Sequence, residues 1–235
     1  MGPIGGLKKS GLVVALATAG LLAQFVIGMQ VADAATCSGS THCYGFERHT
    51  TPSVEGAQIT SQTNCMTVTS PSTEFTTNEM WVGNGTYWTE AGATIGVHNG
   101  GGYNTALTYY WADMRPGTGG YHEHYFAGPV GFKSPVLIKI LESSNGSGTW
   151  NVTLGANSGT STSNAKGPTT YADAGIESTS ATGHVYAQDT SLSYYGTART
   201  STGTWATSTP VTQAGATVTW VSTNHSLNAA VGAAC

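Results

Sequence analysis

Three carboxylates sit inside strand-like runs beside aromatic rings, a setting in which acidic side chains do acid–base chemistry. Glu90 lies in Tyr87-Trp88-Thr89-Glu90-Ala91-Gly92, where period-two alternation puts it on the face of Trp88 and Gly92. Glu123 lies in Tyr121-His122-Glu123-His124-Tyr125, on the face of the two tyrosines. Glu177 follows Ala174-Gly175-Ile176. Partial burial beside an indole raises a carboxyl into the range of a general acid, and a neighbouring glycine lets a substrate backbone approach. The competing reading is that all three point outward and only solubilise the surface. A pair of carboxylates also suits glycoside hydrolysis, so carbohydrate chemistry is a second class to weigh.

Other reaction schemes have less to stand on. His122 and His124 face the same way along a strand, which makes a two-ligand metal arrangement. It needs a third ligand, for which His98 and His184 are the candidates. The alternative for the pair is hydrogen bonding within an aromatic sheet. Neither a Gly-x-Ser-x-Gly elbow nor His-Glu-x-x-His occurs.

The frame for any such site is an exported protein. Lys8 and Lys9 precede an apolar run from Leu12 to about Ile27, and Ala32-Asp33-Ala34 supplies small residues for cleavage. Residues 1–34 are therefore expected to be a signal-peptide helix, and residues 35–235 a single secreted, extracellular domain with no membrane anchor. Without Lys8, Lys9 and Asp33 the chain keeps six basic and eleven acidic side chains. That balance offers no basic patch for a nucleic acid. Cys37, Cys43, Cys65 and Cys235 all lie beyond the cleavage point, which suggests two disulfides outside the cell and argues against a thiol nucleophile. Of three pairings, Cys37–Cys43 as a local loop and Cys65–Cys235 as a long clasp is favoured.

The elements that must position these groups read as short strands. Runs at Asn78–Val82, Thr86–Val97, Asn104–Met114, Gly120–Phe126, Thr149–Leu154, Tyr171–Ser180, Gly183–Gln188 and Ala216–Val221 are separated by Gly, Asn, Pro and Ser turns. Val136–Leu141 is apolar at nearly every position and reads as a central strand buried on both faces. Ser158–Pro168 reads as a polar loop, and Ala216–Val221 as the last clear strand. Regularly spaced strands without helical periodicity predict an all-β chain, a two-sheet antiparallel β-sandwich.

Several short motifs in order carry a family resemblance. Glu79-Met80-Trp81-Val82-Gly83, Glu90-Ala91-Gly92, Tyr109-Tyr110-Trp111-Ala112-Asp113 and Gly119-Gly120-Tyr121 resemble the neprosin family of secreted glutamic peptidases. Ala174-Gly175-Ile176-Glu177 matches, in order and distance, that family's second glutamate. The chain is similar in outline to the fungal eqolisin peptidases, where the position of Glu90 would be glutamine. The resemblance spans residues 78–180. It implies a concanavalin-like or jelly-roll-like sandwich, with Glu90 and Glu177 as a catalytic dyad that activates water on a peptide bond at acid pH. It implies no metal and no cofactor. Trp81, Trp88 and Tyr109 would shape a cleft for an extended peptide, with Glu123 nearby. A non-catalytic extracellular binding or structural sandwich, or a carbohydrate-active or carbohydrate-binding protein, are the other functions compatible with the same fold.

Overall fold

The computed structural model describes residues 42–232 apart from 100, 118, 119, 181, 201, 206, 207, 213, 214, 222 and 224. The expected signal segment, Cys37 and Cys235 lie outside the described residues. Among those residues there is no helix, and so none long and apolar enough to cross a membrane.

Strands in chain order are β1 (Cys43–His49), β2 (Gly56–Ser61), β3 (Thr63–Thr67), β4 (Phe75–Gly83), β5 (Trp88–Val97), β6 (Tyr103–Met114), β7 (Tyr121–Tyr125) and β8 (Val136–Glu142). They continue with β9 (Trp150–Leu154), β10 (Asn157–Ser161), β11 (Tyr171–Ser178), β12 (His184–Tyr195), β13 (Thr202–Gly203), β14 (Thr209–Thr212), β15 (Ala216–Val221) and β16 (Ser226–Val231). One sheet runs β14-β1-β11-β4-β5-β6-β7. The other runs β10-β9-β8-β2-β12-β16-β15, with β3 and β13 also paired to β12. The pairings are antiparallel throughout, so the chain is the two-sheet sandwich that the strand spacing predicts.

Alternation decides which side chains go between the sheets. Met80 and Val82 of β4, Ala91, Ala93 and Ile95 of β5, and Ala172, Ala174 and Ile176 of β11 face inward. They share one apolar core with Ile59, Ile138, Ile140, Val152, Leu154 and Leu192 of the second sheet. Asn78 also points inward, and its amide donates to Ser61 (2.9 Å), Thr63 (3.1 Å) and Asp189 (3.3 Å), tying β4 to the opposite sheet by a buried polar link. Every second residue of β4, β5 and β11 is thereby sent to the outer face of the first sheet.

Three expectations from the sequence are corrected. Strand β8 is buried on one face only: Ile138 and Ile140 pack inward, while Leu137 is 42% exposed. Its neighbours β2 and β9 cover its edges, not its outer face. Residues 157–161 are not loop but strand β10, paired residue for residue with β9. Backbone pairing, not side-chain burial, holds that strand, and its Ser, Gly and Thr carry no apolar alternation. The chain also continues past Ala216–Val221 into β16, which pairs with both β15 and β12. Strands β1, β2 and β3 precede the stretch 78–180 that carries the family resemblance.

Candidate active site

The outer face of the first sheet is built in rows by its hydrogen-bond register. One row reads Tyr44, Glu177, Thr77, Thr94 across β1, β11, β4 and β5. The next reads Phe46, Gly175, Glu79, Gly92, Tyr110, Tyr125. A third reads Arg48, Asp173, Trp81, Glu90, Ala112, Glu123. The rows enclose a cavity of about 610 Å³ whose lining includes Glu90, Glu177, Trp81, Trp88 and Glu123. Five of the six residues expected to form the site therefore meet in one place, although they come from four strands.

Tyr109 is the exception. It packs with Leu107 and Trp111 against the core between the sheets, and Tyr110 lines the cavity in its stead. Three consecutive aromatics in β6 made both faces aromatic, and alternation then gave the cavity to the middle one.

Glu90 is 5% exposed and held on both oxygens. The Trp88 indole N–H donates to Oε2 over 2.9 Å, and the Tyr121 hydroxyl lies 2.6 Å from Oε1. Burial pushes Glu90 up to about 8, with the charge of Glu177 acting in the same sense and the Tyr121 and Trp88 hydrogen bonds opposing. Glu90 is thus a neutral carboxylic acid across the acid and neutral range. Glu177 contacts the Nδ1 of His42, which also lies 3.0 Å from the Tyr44 hydroxyl. The hydrogen bond to Glu177 raises His42 above the ordinary imidazole value, which favours a charged imidazolium beside that carboxyl.

The other carboxylates of this face are engaged differently. Asp173 is gripped by the Arg48 guanidinium, with Nε 3.0 Å from Oδ1 and Nη2 2.6 Å from Oδ2. Glu123 accepts the backbone N–H of Asn99 at 2.6 Å and lies 3.2 Å from the Tyr121 hydroxyl and 3.1 Å from that of Tyr125. Tyr121 consequently stands between Glu90 and Glu123. Glu79 is 2% exposed at the centre of the face and receives the Tyr110 hydroxyl.

Glu79, Tyr110, Tyr121, Tyr44 and His42 were not among the expected site residues. For Glu79 a signal existed: two residues before Trp81, it must share that ring's face. Tyr121 likewise shares the face of Glu123. For Tyr44 and His42 there was none, because their proximity to Glu177 follows from the pairing of β1 with β11.

The two-histidine arrangement finds no third ligand among the described residues. His122 and His124 are exposed on the face of β7 opposite Glu123, and His124 stacks on Trp111 with ring centroids 3.9 Å apart. His98 lies on the cavity side against Tyr125, and His184 begins β12 in the other sheet. No group of three metal-ligating side chains occurs among the described residues. Cys43 opens β1 and Cys65 lies in β3, and neither is a free thiol.

No family model matches the chain, and no curated protein matches it. Solved structures do. Scytalido-glutamic peptidase with a peptide-based transition-state analogue is similar at 10% identity, covering 81% of this chain and 97% of that one, with a TM-score of 0.57. SCP-B, a member of the eqolisin family of peptidases in complex with the tripeptide Ala-Ile-His, is similar at 10% identity over 81% of this chain and 97% of that one, with a TM-score of 0.55. The likeness is one of fold: the sandwich is shared nearly end to end with those peptidases.

Proposed function

We propose that this chain is a secreted, metal-independent glutamic endopeptidase acting at acid pH, with Glu90 and Glu177 as its catalytic carboxyls. The observation that carries the reading is the pairing, in one aromatic-lined cavity, of a buried neutral glutamic acid with a second glutamate ion-paired to a histidine. The resemblance of its motifs to neprosin-type peptidases, and of its fold to eqolisin peptidases crystallised with peptides, points to a peptide as substrate.

Each residue has a task in this scheme. Glu177, ionised, takes a proton from a water as that water attacks the scissile carbonyl. Glu90, neutral, donates a hydrogen bond to the carbonyl oxygen and stabilises the oxyanion as it forms. Glu177 then returns its proton to the departing amine, and both carboxyls end as they began. Trp81 and Trp88 flank an extended peptide, while Trp88 and Tyr121 fix the orientation of Glu90. Export after cleavage at Ala34, and pairing of the four cysteines in disulfides, belong to the same proposal. The catalytic half does not depend on them.

The test is an assay of the purified chain on a broad peptide mixture from pH 3 to 7, read by mass spectrometry. Glu90→Gln and Glu177→Gln should each lower kcat by about a hundredfold or more while retaining the fold, and a chelator should change nothing. Variants as active as the parent would remove the dyad from the mechanism. Cleavage of polysaccharide without cleavage of peptide would move the protein to the carbohydrate class.

A further inference from the structure

The dyad drawn from the sequence is not a pair of register neighbours. Glu90 and Glu177 stand on strands separated by β4, and their β4 partners, Trp81 and Thr77, are four residues apart. Glu79 lies midway between those partners, one strand and two residues from each carboxyl-bearing position. It is the diagonal neighbour of both.

We infer that Glu79 is a third carboxyl of this site, a neutral acid whose proton is donated to Glu177 and which holds that group in place as the ionised base. The inference rests on the peptidase reading for its consequences in turnover, but not for its geometry. Both register neighbours of Glu79 are glycines. A Cβ at Gly92 would stand 2.7 Å from the Cα and Cβ of Glu79. Gly175 has φ +150°, and a Cβ there would run into the Gly45 carbonyl. The sheet is therefore stripped of side chains on either side of this one carboxyl, which leaves it room toward Glu177.

The polar surroundings leave Glu79 one role. Its Oε2 receives the Tyr110 hydroxyl, while its Oε1, fully buried, meets no hydrogen-bond donor among the described residues. Glu177 stands diagonally across the β4–β11 register from it, the placement from which long side chains of neighbouring strands reach one another. Two carboxyls in contact are both acceptors unless one is protonated, so the contact requires a proton. The titratable groups around Glu79 are Tyr44 from β1, Glu177 from β11, Glu90 from β5, Tyr110 from β6, and Tyr121 and Tyr125 from β7, with Thr77 beside it on β4. None of these is a cation. The basic groups lining the same cavity are His42 and Arg48, engaged by Glu177 and Asp173, and His98, stacked on Tyr125. Burial first, and then the charges of Glu90 and Glu177, favour the protonated form of Glu79, with the Thr77 hydroxyl opposing. Glu79 keeps this proton through the cycle; the proton that moves is the one Glu177 takes from water and returns to the amine.

The test compares Glu79→Gln, which keeps a neutral donor, with Glu79→Ala, which does not. Glu79→Gln should lower kcat by only about three- to tenfold and keep the shape of the pH–rate profile. Glu79→Ala should lower kcat by about a hundredfold and move the acid limb upward by about one pH unit, because Glu177 then lacks its donor. Infrared difference spectra at pH 6 should show Glu79→Gln losing a neutral carboxylic-acid carbonyl band, a readout that needs no peptidase activity and no folded alanine variant. Loss of a carboxylate band instead, or a Glu79→Gln variant as inactive as Glu177→Gln, would overturn the inference by making Glu79 an ionised base. An unmoved acid limb in a folded Glu79→Ala variant would reduce Glu79 to packing. Should the parent cleave no peptide at all, the peptidase reading falls and the infrared measurement still decides where the proton sits.

Discussion

The Tyr121 hydroxyl lies 2.6 Å from Oε1 of Glu90 and joins that buried acid to Glu123 on the same face of β7. A phenol has one proton to give, and Tyr121 donates it to the nearer acceptor, Glu90, with Glu123 3.2 Å away. That hydrogen bond leaves the proton of a neutral Glu90 free for the cavity, and it keeps Glu123, half-buried and in reach of solvent, as a second acceptor beside the phenol.

Tyr121→Phe should therefore change the pH range and not only the rate. The Tyr121 hydrogen bond favours the charged form of Glu90 and opposes the effect of burial. Removing it raises Glu90 further above about 8, so the acid persists to higher pH. The alkaline limb of a pH–rate profile should move upward, with kcat lower by about tenfold. A limb that moves downward would show that Tyr121 holds the proton on Glu90 instead.

The exchange of Tyr109 for Tyr110 separates binding from packing. Trp81 lines the cavity against Phe46, with centroids 4.3 Å apart, whereas Tyr109 packs on the core between the sheets. Trp81→Ala should raise KM for extended peptides by about tenfold or more. Tyr109→Ala should leave KM alone and cost about 2 kcal/mol of stability, less than a fully buried aromatic because the ring is only partly covered. Denaturant titration beside steady-state kinetics distinguishes the two, and a KM effect at Tyr109 would restore it to the cleft.

What was legible in the sequence followed from alternation within a strand. Trp88 with Glu90 and Tyr121 with Glu123 both hold because period two is a local rule. Which strands lie side by side is not local. The register of β11 between β1 and β4 brings Tyr44, Glu177 and Thr77 into one row, and no property of those residues announces it. Strand β10 was hidden because serine, threonine and glycine give no apolar signal, and its order comes from backbone hydrogen bonds to β9. Tyr109 was misplaced because the identity of a residue cannot tell one aromatic face of β6 from the other.

Arg48 and Asp173 form the cation-bearing end of the same face. The Asp173 side chain is fully buried and the Arg48 side chain 40% exposed. Arg48→Ala would strand a buried carboxylate and should cost about 2 kcal/mol, at the low end for a broken buried pair because the guanidinium is partly solvated. Combining it with Asp173→Asn should recover most of that loss. A double variant no more stable than Arg48→Ala would show that the guanidinium contributes by packing on Tyr171, over whose ring it sits at 4.9 Å.

A second carboxyl pair, remote from the cavity, ties stability to acid pH. Glu142 accepts backbone N–H groups of Gly146 (2.8 Å), Gly148 (2.7 Å) and Gly167 (3.1 Å), an environment that suits a carboxylate. Glu55, 1% exposed beside it, is pushed up to about 7 by burial and then by Glu142, with Arg199 opposing. Its folded value lies above its unfolded one, so the folded state binds the extra proton. The stabilisation is complete below about pH 4 and is lost as pH rises through about 7. Glu55→Gln keeps a neutral donor that cannot ionise. Its Tm should equal the parent's near pH 4 and exceed it by about 5 °C at pH 8, measured by thermal unfolding across that range. A difference between the two proteins that does not vary with pH would mean that Glu55 carries its charge in the fold and that Glu142 has no proton facing it.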